Sequence, residues 1–186
     1  MNDAERFERN SFASTYEWIQ SMVFAWIICI LVFTFIGRQI SVDGHSMEPT
    51  LQDADHIIIS DLFFTPTHGD VVVLKADAFD DPIVKRVIGV AGDTIDIDFE
   101  SGTVLVNGKT QAEDGYINER IHNYPPESFR ISFPVTLEDG ELFVMGDNRN
   151  QSTDSRSTMV GIVRADDVLG KVYAIIWPLK DFKLIK

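Results

Sequence analysis

The chain has 186 residues, a formal net charge of −13 at pH 7 and a single cysteine, Cys29. This length fits one modest globular domain and an additional short segment, because domains usually have about 100 to 150 residues. The acidity argues against nucleic acid as a partner, since binding to phosphates needs clustered Lys and Arg. One cysteine excludes an internal disulfide and a cysteine-rich metal site.

An uncharged apolar segment covers residues 18–37, between Glu17 and Arg38. About 20 helical residues at 1.5 Å each span the hydrocarbon layer of a bilayer, which is roughly 30 Å thick. A cleaved signal peptide would have a shorter apolar core, of about 7 to 15 residues, followed by small residues. A buried core helix is the other alternative. The segment predicts an uncleaved transmembrane anchor.

The positive charges beside this segment indicate its orientation. Arg6 and Arg9 precede it, and only Arg38 follows it directly. Because positive flanks are enriched on the cytoplasmic side, residues 1–17 are predicted to form a short cytoplasmic tail. No second apolar segment of similar length follows. Residues 38–186 are therefore predicted to form one extracytoplasmic domain.

After the anchor, short apolar or alternating runs are separated by turn signals, as is typical of strands. The predicted strands cover residues 56–60, 70–74, 83–90, 94–98, 103–106, 141–145 and 168–176. Asn107-Gly108 favours a tight hairpin after the fifth of them. The pattern predicts a mainly β fold, an antiparallel sandwich or barrel. The polar residues 111–134, which include Pro125-Pro126, are predicted to form a small excursion from the sheet.

Ser46 and Lys85 suggest hydrolase chemistry. A serine hydroxyl becomes a good nucleophile when a base within hydrogen-bond distance accepts its proton, and an amine can do so only when it is neutral. Lys85 lies in the apolar run 83–90, where desolvation would lower its pKa from about 10.4 by up to about 3 to 5 units. His45 is disfavoured as the base, because neighbouring residues of an extended strand point to opposite faces.

A polar cluster and several acidic or histidine residues complete the candidates. All ten residues from Asp147 to Arg156 carry a hydrogen-bonding side chain, which suits either a functional site or an ordinary polar loop. The acidic run 77–81 lacks the ligand spacing and the Gly of a calcium loop and is predicted to be an exposed loop. His56, His68 and His122 lack ligand spacing, so no metal is predicted.

These clusters, in this order after an N-terminal anchor, resemble the bacterial type I signal peptidases (leader peptidases), in their compact Gram-positive-like form. The matching motifs are residues 44–51 (GHSMEPTL), 69–73 (GDVVV), 84–93 (VKRVIGVAGD), 146–149 (GDNR) and 154–156 (DSR). The resemblance implies a membrane-anchored serine endopeptidase with no cofactor. It would remove signal peptides from exported preproteins at the plasma membrane of a bacterium, with the lipid bilayer and those signal peptides as its partners.

The resemblance also implies roles for individual residues. Ser46 would be the nucleophile and Lys85 the general base. Ser152 would orient the lysine amine, Asp154 and Arg156 would form a supporting ion pair, and Asp147 would steady the same loop. Gly44 stands where some members have a serine that helps to hold the oxyanion. Asn150 stands where many members have Asp, which implies one weaker supporting contact.

Substrate choice would follow from shallow pockets for small side chains at the first and third positions before the cut, as in Ala-X-Ala. Six apolar residues are candidates to line these pockets: Ile40, Val42, Met47, Leu51, Ile57 and Val84. Each of them could equally be a core residue.

Three alternatives compete with this interpretation. Self-cleaving repressor proteases share Ser/Lys chemistry, but they are soluble and carry a DNA-binding part. A catalytically inactive, membrane-tethered homologue that only binds signal peptides is disfavoured by the presence of Ser46 and Lys85. The eukaryotic reticulum-type relative would carry His in place of Lys85.

Overall fold

We analysed a computed structural model of the chain, in which residues 15–30, 37–113 and 115–185 are described. The chain divides into two compact units, Met1–Arg38 and Gln39–Lys186. In the first unit, residues 15–30 are helical. None of the helices in the described ranges is both long and apolar enough to cross a membrane. Residues 31–36 of the predicted anchor lie outside the described residues, and the anchor stays a prediction.

The described residues from Arg38 onward form twelve strands in two sheets. In chain order the strands are β1 Arg38–Ser41, β2 His56–Ser60, β3 Val71–Leu74, β4 Ile83–Gly89, β5 Thr94–Asp98, β6 Thr103–Val106, β7 Lys109–Thr110, β8 Val135–Thr136, β9 Glu141–Met145, β10 Val163–Arg164, β11 Val168–Trp177 and β12 Lys183–Leu184. The larger sheet has the order β1-β2-β11-β3-β4-β9-β10, with β12 paired to β11, and the smaller has the order β7-β6-β5-β8.

Strand β3 lies at the centre of the larger sheet and is buried on both faces. Val71 and Val73 pack into one apolar cluster, and Val72 and Leu74 pack into another. This division follows from the alternation of side chains along a strand. Antiparallel pairing places Val72 opposite Lys85 of β4. A fully buried strand therefore pairs with the strand that carries the candidate base.

The hairpin between β6 and β7 shows how the local sequence dictates the turn. Asn107 and Gly108 both adopt positive φ, at 53° and 73°. A two-residue turn with positive φ at both positions twists in the same sense as the flanking strands, which is why Asn-Gly is preferred there. The predicted hairpin is confirmed by the pairing of Val106 with Lys109.

The predicted mainly β, antiparallel fold is confirmed, and all seven predicted strands are present. The strands that the sequence did not predict are short: β1, β7, β8, β10 and β12. Between residues 111 and 134, the described part contains no strand and only one short 3-10 helix, Glu127–Phe129. Ile121 of this excursion is buried in the apolar cluster of the smaller sheet, so the excursion packs onto that sheet.

Candidate active site

Ser46 and Lys85 are in direct contact. The Lys85 Nζ lies 2.8 Å from the Ser46 Oγ and also donates to the carbonyl of Val84 at 2.9 Å. Ser46 lies in a turn over residues 44–51, closed by a hydrogen bond from the Leu51 N–H to the Met47 carbonyl at 3.0 Å. Lys85 comes from β4 and is 3% exposed. A hydroxyl and an amine, the two groups that a serine nucleophile and its base require, thus meet at hydrogen-bond distance.

Burial lowers the pKa of Lys85 from 10.5 to about 8, with Asp154 opposing the shift and Arg156 assisting it. An amine with this pKa is about one-tenth neutral at pH 7 and half neutral at pH 8. Only the neutral amine has a lone pair that can accept the hydroxyl proton of Ser46. Near pH 8 the site therefore contains a neutral amine beside the Ser46 hydroxyl.

His45 is exposed and its Nδ1 lies 2.8 Å from the Glu48 Oε1. The reason given from the sequence for excluding it was wrong, because residues 44–51 form a turn and not an extended strand. The structure supplies a different reason. The imidazole ring of His45 is hydrogen-bonded to Glu48, and Lys85 makes the contact with the Ser46 hydroxyl.

Asp147 forms a doubly hydrogen-bonded ion pair with Arg86, the residue after Lys85. The Arg86 Nε and Nη2 donate to its two carboxylate oxygens at 2.8 and 2.6 Å. The Thr50 hydroxyl donates to the same carboxylate at 2.5 Å, and the Arg86 Nη1 donates to the carbonyl of Gly69 at 2.7 Å. This network ties β4 to the turn that carries Ser46. Sequence reasoning gave Arg86 and Thr50 no role, although a charged residue in a buried apolar strand needs a partner.

The loop that follows β9 approaches the turn of Ser46 very closely. The Asn148 N–H donates to the Ser46 carbonyl at 3.0 Å, and its side-chain amide donates to the His45 carbonyl at 3.1 Å. A Cβ added at Gly146 would overlap the Ser46 carbonyl oxygen and the Ser152 hydroxyl. Glycine is therefore required at position 146 for this approach.

Asp154 and Arg156 form a fully buried ion pair on the same loop. The Arg156 Nε and Nη2 donate to the Asp154 carboxylate at 2.7 and 2.8 Å. Burial raises the pKa of Asp154, but the charge and hydrogen bonds of Arg156 outweigh that effect and hold the pKa below its usual range. The carboxylate also accepts the Gly146 N–H at 3.0 Å, which fixes the glycine against Ser46.

Ser152 lies beside these groups, with its Oγ buried. It contributes to the low pKa of Asp154, but its hydroxyl makes no hydrogen bond of normal geometry with any described residue. The implied contact between Ser152 and the Lys85 amine is therefore not made in this structure.

The start of the excursion reaches the same region, which sequence reasoning missed. Glu113 forms an ion pair with Arg149 at 2.5 Å, and both side chains are buried. The ring of Tyr116 lies 4.3 Å from the guanidinium carbon of Arg86. Because these partners are far apart in the sequence, no local pattern could have identified them.

Asn150 makes three side-chain hydrogen bonds to the excursion. Its Oδ1 accepts the N–H groups of His122 and Asn123 at 2.8 and 3.0 Å, and its Nδ2 donates to the carbonyl of Arg120 at 3.0 Å. An Asp could accept the first two but could not make the third. Asn at this position thus makes a contact specific to an amide.

Two hollows flank Ser46 and Lys85, and both residues line both hollows. The first has a volume of about 310 Å³ and is called the apolar cavity below, although Asp43 and Asp81 also line it. Four of the predicted lining residues contribute to it: Ile40, Val42, Met47 and Val84. The prediction for Leu51 and Ile57 was wrong. Both are 0% exposed in the apolar core, because their side chains point to the packed side of the turn and of β2.

The second hollow, of about 480 Å³, is called the acidic hollow. It is bordered by three aspartates, Asp43, Asp80 and Asp81. The last two belong to the run 77–81, which is exposed as predicted but also borders the site. No three His, Cys, Asp or Glu side chains in the described ranges come together in a way that could hold a metal ion.

The backbone near Ser46 offers one donor for an oxyanion. The Ser46 N–H donates to no other described residue. Gly44 has a φ of 91°, and its own N–H donates to the Asp53 carboxylate at 2.9 Å. Position 44 has no hydroxyl, and the Ser46 N–H is among the N–H groups of this turn that make no hydrogen bond within the described residues.

Comparison with known proteins points to one family. The family model described as signal peptidase, peptidase S26, matches residues 15–177. The chain is 34% identical to signal peptidase IB of Staphylococcus aureus (strain N315) over 181 residues, which cover 90% of this chain and 92% of that protein. It is 29% identical to signal peptidase I of Bacillus licheniformis over 188 residues, covering 96% of this chain and 97% of that protein.

A solved structure is also similar. The crystal structure of a signal peptidase I from Enterococcus faecalis V583 is 26% identical, with a TM-score of 0.46, and the match covers 58% of this chain and 97% of that one. The family match spans most of the chain and includes both Ser46 and Lys85. The chain therefore belongs to the signal peptidase family, peptidase S26.

Proposed function

We propose that this chain is a membrane-anchored serine endopeptidase that removes signal peptides from exported preproteins after small residues, at sites of the Ala-X-Ala type. The observation that carries the proposal is the 2.8 Å contact between the Ser46 hydroxyl and the buried Lys85 amine. Family membership supports the same activity. No cofactor enters the reaction.

The reaction begins when the neutral Lys85 amine accepts the Ser46 proton, and Ser46 Oγ attacks the carbonyl carbon of the residue before the cut. The Ser46 N–H donates to the oxyanion that forms. The Lys85 ammonium then gives its proton to the leaving amine, which releases the mature protein and leaves the signal peptide as an ester on Ser46. Lys85 next deprotonates a water molecule that attacks this ester, and the proton returns to Ser46 Oγ.

The residues before the cut would bind between two free strand edges. Strand β9 pairs with β4 only from Arg86 onward, so residues 83–85 are paired on one side only, by β3. Strand β1 is the terminal strand of the larger sheet. An extended peptide can pair its main chain with such edges. Its alternate side chains would point into the apolar cavity.

Two buried ion pairs support the dyad by holding in place the elements that carry it. The pair of Arg86 and Asp147 holds β4 and the Ser46 turn together, and the pair of Asp154 and Arg156 holds Gly146 against that turn. We assign Ser152 as a positioning residue, because its hydroxyl is buried beside Gly146 without a normal hydrogen bond. Its oxygen is available to accept a hydrogen bond from the Lys85 amine when substrate binds.

The site would act at a membrane surface. Residues 18–37 are uncharged and apolar, and the catalytic unit exposes Trp177, Leu179, Phe182 and Leu184 near its C-terminus. We place the chain in the plasma membrane of a bacterium, with a cytoplasmic N-terminus and the catalytic unit outside. A protease added to intact cells or spheroplasts should then degrade the unit after Arg38. Degradation only after lysis would overturn this topology.

The activity is tested by incubating a purified preprotein that has an Ala-X-Ala site with the full chain in detergent or lipid. Wild type and Ser46→Ala are compared, and the product ends are read by mass spectrometry. Cleavage at the expected bond by wild type alone supports the proposal. If neither protein cleaves while both still bind the preprotein, the inactive signal-peptide-binding homologue becomes the better description.

A further inference from the structure

We propose that a third groove, next to the dyad, binds the segment of the preprotein that follows the cleavage site; this inference rests on the proposed function. The groove has a volume of about 420 Å³. Its lining comes from two segments of the chain: residues 123–126 with Phe129, and residues 150–153 with Ser157 and Met159. It is called the side groove below.

The side groove is contiguous with the active site. Gln151 and Thr153 line both the side groove and the acidic hollow, and the acidic hollow also contains Ser46 and Lys85. A peptide that leaves Ser46 through the acidic hollow therefore meets the side groove next.

The direction of the substrate follows from the residues that the two hollows do not share. Ile40, Val42 and Met47 line the apolar cavity but not the acidic hollow, and the apolar cavity takes the residues before the cut. Gln151 and Thr153 line the acidic hollow but not the apolar cavity. We therefore assign the residues after the cut to the end of the acidic hollow at Gln151 and Thr153. The side groove is the continuation of that path.

The chemistry of the side groove fits an uncharged extended segment. None of the described residues that line it is charged, although the chain carries a net charge of −13. Amide and hydroxyl groups are available for the main chain of a peptide. Phe129 and Met159 are 54% and 48% exposed, so they offer apolar surface that no part of the described chain covers. The segment should carry apolar or aromatic side chains at this distance from the cut.

The two segments that line the side groove are joined by hydrogen bonds. Asn150 binds the main chain at Arg120, His122 and Asn123, and the Asn123 amide donates to the Asn150 carbonyl at 2.9 Å. The Thr158 N–H donates to the Phe129 carbonyl at 2.8 Å. A groove formed before binding loses little entropy when a peptide enters, which favours a role in recognition.

The test uses two labelled peptides with the same signal sequence and Ala-X-Ala site. The short peptide ends two residues after the cut, and the long one continues for about eight residues, which extend about 26 Å and include Phe and Leu. Their affinities are measured with full-length Ser46→Ala, which binds without turnover. A second protein adds Phe129→Ser and Met159→Ser, and a control adds Leu62→Ser, an exposed apolar residue away from the groove.

We expect the long peptide to bind about tenfold more tightly than the short one, from the burial of one or two apolar side chains. The groove variant should lose this advantage and bind the short peptide normally, whereas the Leu62→Ser control should keep it. Equal affinities for the two peptides, or equal loss for both in the groove variant, overturn the inference. Cleavage by wild type is measured in parallel, and its absence would instead overturn the proposed function.

Discussion

Replacing Lys85 with Met should abolish cleavage and, at neutral pH, stabilise the fold. The fall of the Lys85 pKa from 10.5 to about 8 corresponds to about 3 kcal/mol, at about 1.4 kcal/mol per pKa unit. This energy is the cost of keeping the buried amine charged below pH 8. Met fills similar space without a charge. It also loses the hydrogen bonds to Ser46 and Val84, at about 1 kcal/mol each.

The net effect at pH 7 is a gain of about 1 kcal/mol in the free energy of unfolding. Its pH dependence has a definite sign. Between pH 8 and 10.5 the unfolded wild type binds more protons at this lysine than the folded protein does, so wild-type stability rises with pH while that of Lys85→Met does not. The advantage of the variant should therefore shrink by about 3 kcal/mol and reverse by pH 10.5.

The assay is urea unfolding of both full-length proteins in the same detergent, followed by circular dichroism at pH 7, 9 and 10.5. Equal shifts of the two proteins with pH would refute the reasoning. Such a result would mean that burial does not lower the pKa of the Lys85 amine. Lys85 would then stay charged near pH 8 and could not act as the base.

Three other predictions follow from the site. The rate of cleavage should rise with pH through about 8, the pKa of Lys85; a profile that is flat from pH 6 to 9 in kcat/KM would contradict this. Asp147→Asn should cost about 3 to 5 kcal/mol in urea unfolding, because it leaves the buried Arg86 unpaired, whereas exposed Asp139→Asn should change little. Gly146→Ala should lower kcat at least tenfold by displacing the Ser46 turn. The control is Gly115→Ala, because a Cβ at position 115 would meet open space. Normal activity of Gly146→Ala would contradict the argument that the loop approaches the Ser46 turn closely.

Much of the fold could be predicted because strands show alternating apolar and polar residues and are separated by turn residues. Asn107-Gly108 determined a hairpin through backbone geometry alone. The short strands β1 and β12 have no such pattern, since their existence depends on pairing with β2 and β11. The turn at residues 44–51 was predicted to be extended. The hydrogen bond that closes this turn joins main-chain groups and cannot be predicted from the pattern of apolar residues.

The candidate site was predictable where chemistry is local and not where it depends on long-range pairing. The apolar residues beside Lys85 in the sequence indicated that burial would lower the pKa of its amine. The pairs of Arg86 with Asp147 and of Glu113 with Arg149 join residues that only the fold brings together. Ile57 shows the same limit, because an apolar strand residue is equally suited to a pocket and to a core, and the structure places it in the core.

The central claim is that a neutral amine at position 85 activates Ser46. It is tested most directly by converting Lys85→Cys to an aminoethyl-cysteine side chain, in a Cys29→Ser background so that no other thiol reacts. The thioether lowers the pKa of the restored amine. The account predicts no cleavage before modification, and after it a return of cleavage with a pH profile shifted to lower pH. Full activity of unmodified Lys85→Cys, or a profile identical to that of wild type after modification, would contradict it.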